Sequence, residues 1–273
     1  MAPGWPGDVV RTKIEERSRS GGFVANVKAV ILAAGRGVRI GGDQPKTLIP
    51  VRGNEPLLHY LMVGLKKAGI DDLMVITGYK PAAIQEYVNE HWDGEAQFIF
   101  NARFASWGNF HSLRMGLDQA PGSDVLVVNC DVVIHPDVFN RVLETEGDLV
   151  LAVERRDDLD QEDMRVRLQG RRVMDIGKSL KRAHGHGEYD GVSLVRPAAA
   201  RAYLDGSTAL EWRADTDLYY EDVYGRILDR IDARAAFVEP GEYAEVDVWS
   251  DMEVAAAVVR RHEDAWVRPQ AAV

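Results

Sequence analysis

Residues 32–53 read LAAGRGVRIGGDQPKTLIPVRG. An apolar run, Val27-Lys-Ala-Val-Ile-Leu-Ala33, leads into this stretch, and a glycine-broken basic loop leaves it and closes on Pro45-Lys46. The run is β-branched and almost continuously apolar, as a parallel strand buried on both faces must be. Two phosphate-binding readings of the loop fail on spacing. A dinucleotide fingerprint needs G-x-G-x-x-G; Gly35 and Gly37 fit, but Ile40 holds the third position and Gly41 comes one residue late. A P-loop puts glycine directly before Lys-Ser/Thr, whereas Lys46-Thr47 follows Pro45, whose ring fixes φ and removes an amide from any anion nest. What remains is a strand running into a turn where Gly35 and Gly37 let backbone amides approach a ligand. Arg36 and Arg39 are placed to clamp a polyphosphate, and Lys46 is held by a stiff X-Pro step.

Outward from this loop the pattern repeats. Apolar runs recur at Leu73 to Thr77, Gln97 to Phe100, Val125 to Val128 and Asp148 to Val153. Helical periodicity fills Leu57 to Ala68, Pro81 to His91, Phe110 to Gln119 and Pro136 to Thr145. That alternation predicts right-handed βαβ units and an α/β fold with a single doubly wound, mostly parallel sheet, whose ligands bind at the carboxyl ends of the strands. After residue 153 the rhythm changes. Met164 to Leu168 and Arg172 to Ile176 flank Gln169-Gly170-Arg171 and predict a small hairpin insertion. Gly191 to Val195 and Tyr243 to Val248 read as strands, Ala198 to Leu204 and Leu218 to Ile231 as helices. Ser250-Asp-Met-Glu253 has the capping-box pattern of a last helix. One domain over 26–265 is expected, with a nucleotide-binding half (26–153) and an acceptor half (154–265), between a flexible extension over 1–25 and a tail over 266–273.

Composition narrows the function. The 273 residues are 46% apolar, enough for a full core, and the formal charge of −10 gives no basic footprint for nucleic acid or an anionic membrane. The single cysteine, Cys130, excludes an internal disulfide and any all-cysteine metal site and fits a reducing compartment. No apolar run approaches a membrane span, and the first residues lack the apolar middle of a secretory signal, so a cytoplasmic location is expected.

LAAGRGVR followed by PKTLIPVRG resembles the N-terminal motif of the nucleotidyltransferases that join a nucleoside triphosphate to a phosphorylated sugar or alcohol. The resemblance implies a Rossmann-like, GT-A-like fold. It implies that Leu32, Ala33, Ala34, Gly35, Arg36 and Gly37, with Gly78, Asn109 and Ser112, bind the nucleotide, and that Arg39 and Lys46 act on its phosphates. Asn101-Ala-Arg-Phe-Ala-Ser-Trp-Gly-Asn109-Phe-His-Ser112 is similar to a segment of the phosphocholine cytidylyltransferase branch and its phosphonate relatives, departing from it at Gly108. Asn101 and Trp107 are acceptor candidates on that likeness; alone, Asn109 or Ser112 is as well read as a helix cap.

Val125-Leu-Val-Val-Asn-Cys-Asp131 ends an apolar strand in a carboxylate at the ligand edge of the sheet, and a hard oxygen donor there suits Mg²⁺. The resemblance makes Asp247 the second ligand. Val173-Met-Asp-Ile-Gly-Lys178 and Gly187-Glu-Tyr-Asp-Gly191 resemble the acceptor half of the phosphonate and phosphocholine enzymes, so Lys178, Glu188, Tyr189, Gly191 and, further on, Glu221 are expected at the acceptor.

His184-Gly-His186 reads as a pH-sensitive loop rather than a metal site, having no cysteine beside it. Trp107, Tyr189, Trp212, Tyr219 and Tyr220 offer either a cage for a quaternary ammonium or ordinary packing. Asp190, Asp217 and Glu221 suit an amine on the acceptor, Arg165, Lys181 and Arg182 a second anion.

The expected activity is Mg²⁺-dependent transfer of CMP from CTP to a small acceptor, of 2-hydroxyethylphosphonate, 2-aminoethylphosphonate or phosphocholine type, with release of pyrophosphate. A sugar-1-phosphate nucleotidyltransferase using UTP or dTTP and a non-catalytic nucleotide-binding regulator are the alternatives. The family likeness leaves room for a homodimer.

Overall fold

The computed structural model describes residues 27–267, so the extension over 1–25 and the end of the tail lie outside the described residues. In chain order the elements are β1 (Val27–Ala33), β2 (Pro50–Arg52), β3 (Glu55–Pro56), α1 (Leu57–Lys67), β4 (Asp72–Thr77), α2 (Pro81–His91), β5 (Glu95–Phe100), α3 (Phe110–Asp118), β6 (Asp124–Asn129) and β7 (Val132–Ile134). There follow α4 (Pro136–Glu144), β8 (Leu149–Glu154), β9 (Arg165–Gln169), β10 (Arg172–Ile176), β11 (Gly187–Val195), α5 (Pro197–Trp212), α6 (Tyr220–Ile227), β12 (Ala233–Val238), β13 (Tyr243–Glu245) and α7 (Asp251–Arg261).

A nine-stranded sheet runs β5-β4-β1-β6-β11-β8-β12-β10-β9, in which β11 and β10 run against the others. From β1 the chain moves outward to β4 and β5, then returns to β6 on the other side of β1. This reversal opens a crevice at the carboxyl ends of β1 and β6, where the glycine loop and Asn129-Cys130-Asp131 emerge.

Alternate residues of each central strand feed two cores. Val30, Leu32 and Val127 meet Phe110, Tyr203, Tyr220 and Tyr224 on the face covered by α3, α5 and α6. Ala29, Ile31 and Val128 meet Leu58, Leu61 and Phe139 on the face covered by α1 and α4. A third cluster joins α7 to Ile40, Ile49, Tyr60 and Trp266, and so anchors both ends of the loop that carries Lys46.

The predicted hairpin is β9–β10, and the start of β11 adds to β9. Several elements differ from the sequence reading. β12 was not read, because ARAAFV is alanine-rich and broken by Arg234, yet it pairs in parallel with β8 inside the sheet. α5 continues through Gly206-Ser207-Thr208 despite their turn composition: the Ser207 and Thr208 hydroxyls donate to the Leu204 carbonyl (3.0 and 2.8 Å). The expected capping box is replaced. The Asp251 carboxylate accepts the amides of Asp247 (2.7 Å) and Val248 (2.8 Å), which ends β13 early. Trp266, read as tail, is buried edge-on against Tyr60 at 5.3 Å, so the packed domain extends through it.

Gly64 of α1 lies against Phe139 of α4, where an added Cβ would sit 2.4 Å from Phe139 Cε2. Gly64→Ala gains about 1 kcal/mol of helix propensity but overpacks the core by about 1–3 kcal/mol. The variant is expected to unfold at lower urea than the wild type; an unchanged or higher midpoint would contradict this contact.

Candidate active site

A cleft of about 390 Å³ lies at the crevice between β1 and β6. Its nucleotide-side wall is the loop after β1. Gly37 sits at φ +63°, and a Cβ there would fall 2.8 Å from Lys46 Cβ, so only glycine lets the lysine stem pass beneath the turn. Pro45 starts a short 3₁₀ turn over Lys46–Leu48, and the Ile49 amide donates to the Lys46 carbonyl (3.1 Å). With Ile49 and Ile40 packed in the third cluster, Lys46 has little freedom.

The acidic floor is built by a two-stranded ribbon. β13 pairs antiparallel with β7, placing Glu245 opposite Val132, and the Val246 amide donates to the Asp131 carbonyl (2.9 Å). Asp131 and Asp247, far apart in sequence, are thereby brought to one place, and Asp251 fixes the Asp247 backbone. The Lys46 ammonium bridges them, 3.0 Å from Asp131 Oδ2 and 2.6 Å from Asp247 Oδ1. Arg39 Nη1 donates to the other Asp247 oxygen at 2.7 Å.

Burial pulls the Lys46 pKa down, but Asp131 and Asp247 outweigh it and hold the ammonium above its ordinary range. Burial likewise works against the Asp247 charge, and Lys46 and Arg39 overcome it, so that carboxyl is depressed. Glu245 has no such partner. Burial, then Asp131 and Asp247, push it up to about 8.

Asp131, Glu245 and Asp247 offer oxygens that all lie within 4.8 Å of one another. Such an all-oxygen set suits a hard divalent cation such as Mg²⁺, which takes one or two carboxylates and completes its shell with phosphate and water. The residues therefore fit the metal, with Glu245 a third carboxylate in reach.

The facing wall of the cleft is formed by β9–β11 and the start of α6. Lys178 Nζ lies 3.3 Å from Glu162 and 5.2 Å from the Tyr219 ring centroid. Glu188 is buried and paired with Arg156 at 3.0 Å; burial still raises it to about 7 against the pull of Arg156. Arg165 is not an anion site. It is buried, and its guanidinium donates to the carbonyls of Leu180 (2.6 Å), Asp160 and Lys178, tying these loops together.

Leu32, Ala34, Gly35, Gly37, Arg39, Lys46, Asn109, Ser112, Asp131, Lys178, Glu188, Tyr189, Gly191, Glu221 and Asp247 all line this cleft. Five candidates do not. Ala33 points into the α1/α4 core, and Arg36 lies over the Tyr79 ring at 5.5 Å. Gly78 is pressed between the Ala34 carbonyl and Phe104. Asn101 is buried, donating to Ser112 Oγ (3.0 Å) and accepting the Arg103 amide (2.9 Å), so it braces the wall from behind. Trp107 stacks on Phe110 with the Arg103 guanidinium 3.9 Å from its ring centre.

The aromatic set does not assemble into a cage. Trp212 is exposed, and Tyr220 is buried with its hydroxyl donating to Asn129 Oδ1 (2.9 Å), 3.0 Å from the Tyr189 hydroxyl. Gly108, the departure from the related segment, has a steric cause: a Cβ there would meet the Leu218 carbonyl at 1.9 Å. His186 Nδ1 accepts the Leu168 amide (2.9 Å), a structural use. Glu245 and Asn129 were missed. Each is the last residue of its strand, two residues before an Asp that the sequence reading singled out.

Comparison with known proteins accords with this geometry. The profile of the MobA-like NTP transferase domain matches residues 29–202, and the chain belongs to that family. It is 32% identical over 120 residues to the choline-phosphate cytidylyltransferase of Streptococcus pneumoniae, covering 43% of this chain and 50% of that protein. The chain thus spans half the length of that relative. It is 23% identical over 256 residues to the CTP:phosphoglutamine cytidylyltransferase of Campylobacter jejuni, covering 84% of this chain and 98% of that one. The fold matches the inositol-1-phosphate CTP transferase of T. maritima with a TM-score of 0.72 at 20% identity, over 85% of this chain and 96% of that one. A sugar-phosphate guanylyltransferase is also among the similar proteins. No helix among the described residues is long and apolar enough to cross a membrane.

Mn²⁺ titration followed by EPR tests the acidic floor. Asp131→Asn and Asp247→Asn are expected to weaken Mn²⁺ binding on the order of tenfold or more. Lys46→Met removes the competing ammonium and is expected to tighten it; weaker binding in that variant would refute the arrangement.

Proposed function

We propose that this protein is a Mg²⁺-dependent cytidylyltransferase that moves CMP from CTP to a small phosphonate or phospho-alcohol and releases pyrophosphate. The observation that carries the reading is the Lys46 ammonium bridging Asp131 and Asp247, in one cleft with the glycine loop and with Lys178. The likeness to enzymes named for CTP supports the choice of nucleotide.

An acceptor oxyanion attacks the α-phosphorus and forms a new P–O bond. The bond from that phosphorus to the oxygen bridging to the β-phosphorus breaks, and its electron pair leaves with pyrophosphate. Such a transfer brings two anions together, so positioning and charge dispersal dominate. The amides after β1, with Arg39, hold the triphosphate. Lys46 neutralises the α-phosphate; its raised pKa keeps it protonated, so its part is electrostatic and not that of a base. Lys178 holds the acceptor's phosphoryl end. That group is already ionised, so no side chain has to abstract a proton. Asp131 and Asp247 would hold Mg²⁺, which when bound would supply Lewis-acid charge to the phosphate oxygens.

The test is pyrophosphate release with Mg²⁺ and CTP across phosphocholine, 2-hydroxyethylphosphonate, 2-aminoethylphosphonate, inositol phosphate and glucose-1-phosphate, with UTP, dTTP, ATP and GTP as parallel donors. Release with CTP and a non-sugar acceptor is expected. Release only from UTP or dTTP with glucose-1-phosphate would move the protein to the sugar branch, and silence with every pair would leave a nucleotide-binding regulator.

Within the active pair, Lys46→Met should lower kcat on the order of 10²–10³-fold with an unchanged circular dichroism spectrum. Wild-type turnover in this variant would remove Lys46 from the mechanism.

A further inference from the structure

Seven carboxylates line the cleft: Asp131, Glu162, Asp163, Glu188, Glu221, Glu245 and Asp247. Nearly all have a cation or a shared role. Lys46 serves Asp131 and Asp247, Lys178 serves Glu162, and Arg156 serves Asp163 (2.7 Å) and Glu188 (3.0 Å). Glu245 belongs with the two aspartates of the floor. Glu221 is the exception. It opens α6, is 4% exposed, forms no ion pair among the described residues, and its Oε2 is buried with no hydrogen-bond partner.

A buried carboxylate oxygen left without a donor costs about 1–3 kcal/mol or more, so the wall is incomplete without something to fill it. We propose that the acceptor carries a primary ammonium group at the end opposite its phosphoryl, and that Glu221 receives it; this rests on the cytidylyltransferase reading above.

Three observations select that chemistry. A second anion has no receptor there, because the Arg165 guanidinium is occupied by backbone carbonyls and neither Lys181 nor Arg182 lines the cleft. A quaternary ammonium wants an aromatic cage, and the rings that line the cleft among the described residues are spread apart in role: Tyr189 is buried with its hydroxyl beside that of Tyr220, Tyr219 has Lys178 already near its ring, and Tyr243 belongs to the β7–β13 ribbon of the floor. A quaternary group also has no N–H to give, whereas a primary ammonium has three. A neutral hydroxyl supplies a donor but no charge. Burial holds the Glu221 carboxyl up to about 8 against the weaker pull of Tyr220 and Lys178, and a cation bound against it is what would return it to the ionised form.

The experiment compares kcat/KM for 2-aminoethylphosphonate, 2-hydroxyethylphosphonate and phosphocholine, with CTP and Mg²⁺, in the wild type and in Glu221→Gln. The amine is expected to exceed the hydroxyl analogue by a factor on the order of 10². Glu221→Gln is expected to bring that ratio to within about tenfold by lowering the amine value far more than the hydroxyl value. Equal or better use of 2-hydroxyethylphosphonate or phosphocholine by the wild type overturns the inference but leaves cytidylyl transfer standing. Retention of the wild-type ratio in Glu221→Gln also overturns it. If CTP supports no turnover at all, the functional reading fails. Calorimetric binding of the same compounds then still decides this point, since 2-aminoethylphosphonate should bind more tightly than its hydroxyl analogue, and equal affinities refute the role of Glu221.

Discussion

One ammonium among three carboxylates sets the terms for the cleft. At about 3 Å, opposite unit charges attract by on the order of 5 kcal/mol at an effective dielectric of about 20, before either is charged for leaving water. Burial of Lys46 takes back much of that gain, so the bridge to Asp131 and Asp247 adds little to stability on balance. Its consequence is positional. Without the ammonium the acidic residues would repel one another and the ribbon that carries them. With it, the floor is held in a geometry that an entering triphosphate can use, because phosphate oxygens compete for the same lysine and a divalent cation competes for the same carboxylates.

The fold exists around that meeting point. The reversal of strand order between β1 and β6 opens the crevice, and the β7–β13 ribbon crosses it to deliver Glu245 and Asp247 beside Asp131. The packing of α7 against Ile40, Ile49, Tyr60 and Trp266 then locks the Lys46 loop to the helix that follows Asp247. Both ends of the lysine bridge are thus tied to one hydrophobic cluster, and a disturbance of that cluster reaches the site from both sides.

Much of this was legible in the chain, for identifiable reasons. β1, β4, β6 and β8 are continuous apolar runs that have no alternative to burial, and Lys46 and Asp131 stand where such strands end. Glu245 carries no local signal of its own, since its place beside Asp131 and Asp247 is set by the pairing of β13 with β7. β12 was hidden by composition, because alanine and Arg234 carry no strand signal and its place is set by pairing with β8. Asn101 and Trp107 were expected at the acceptor because the Asn101–Ser112 segment is similar to one of the phosphocholine cytidylyltransferase branch. Ser112, Arg103 and Phe110, all within the same short segment, claimed them first through side-chain contacts that the order of residues alone does not reveal.

The two walls of the cleft obey one electrostatic logic in opposite senses. In the proposed reaction, the wall after β1 would meet the triphosphate with amides, Arg39 and Lys46, and the facing wall would admit the acceptor's anionic end beside the Lys178 ammonium. Yet its remaining lining is acidic, and repulsion from those carboxylates would slow a purely anionic acceptor. A carboxylate already paired with arginine presents little net charge; an unpaired one presents all of it once ionised. On the proposed reading, selectivity on this wall concentrates in Glu221, which forms no ion pair among the described residues, while Glu188 and Asp163, paired with Arg156, give the pocket its shape. An acceptor with opposite charges at its two ends satisfies both requirements of the wall at once, and orients itself in doing so, phosphoryl toward Lys46 and Lys178 and cation toward α6.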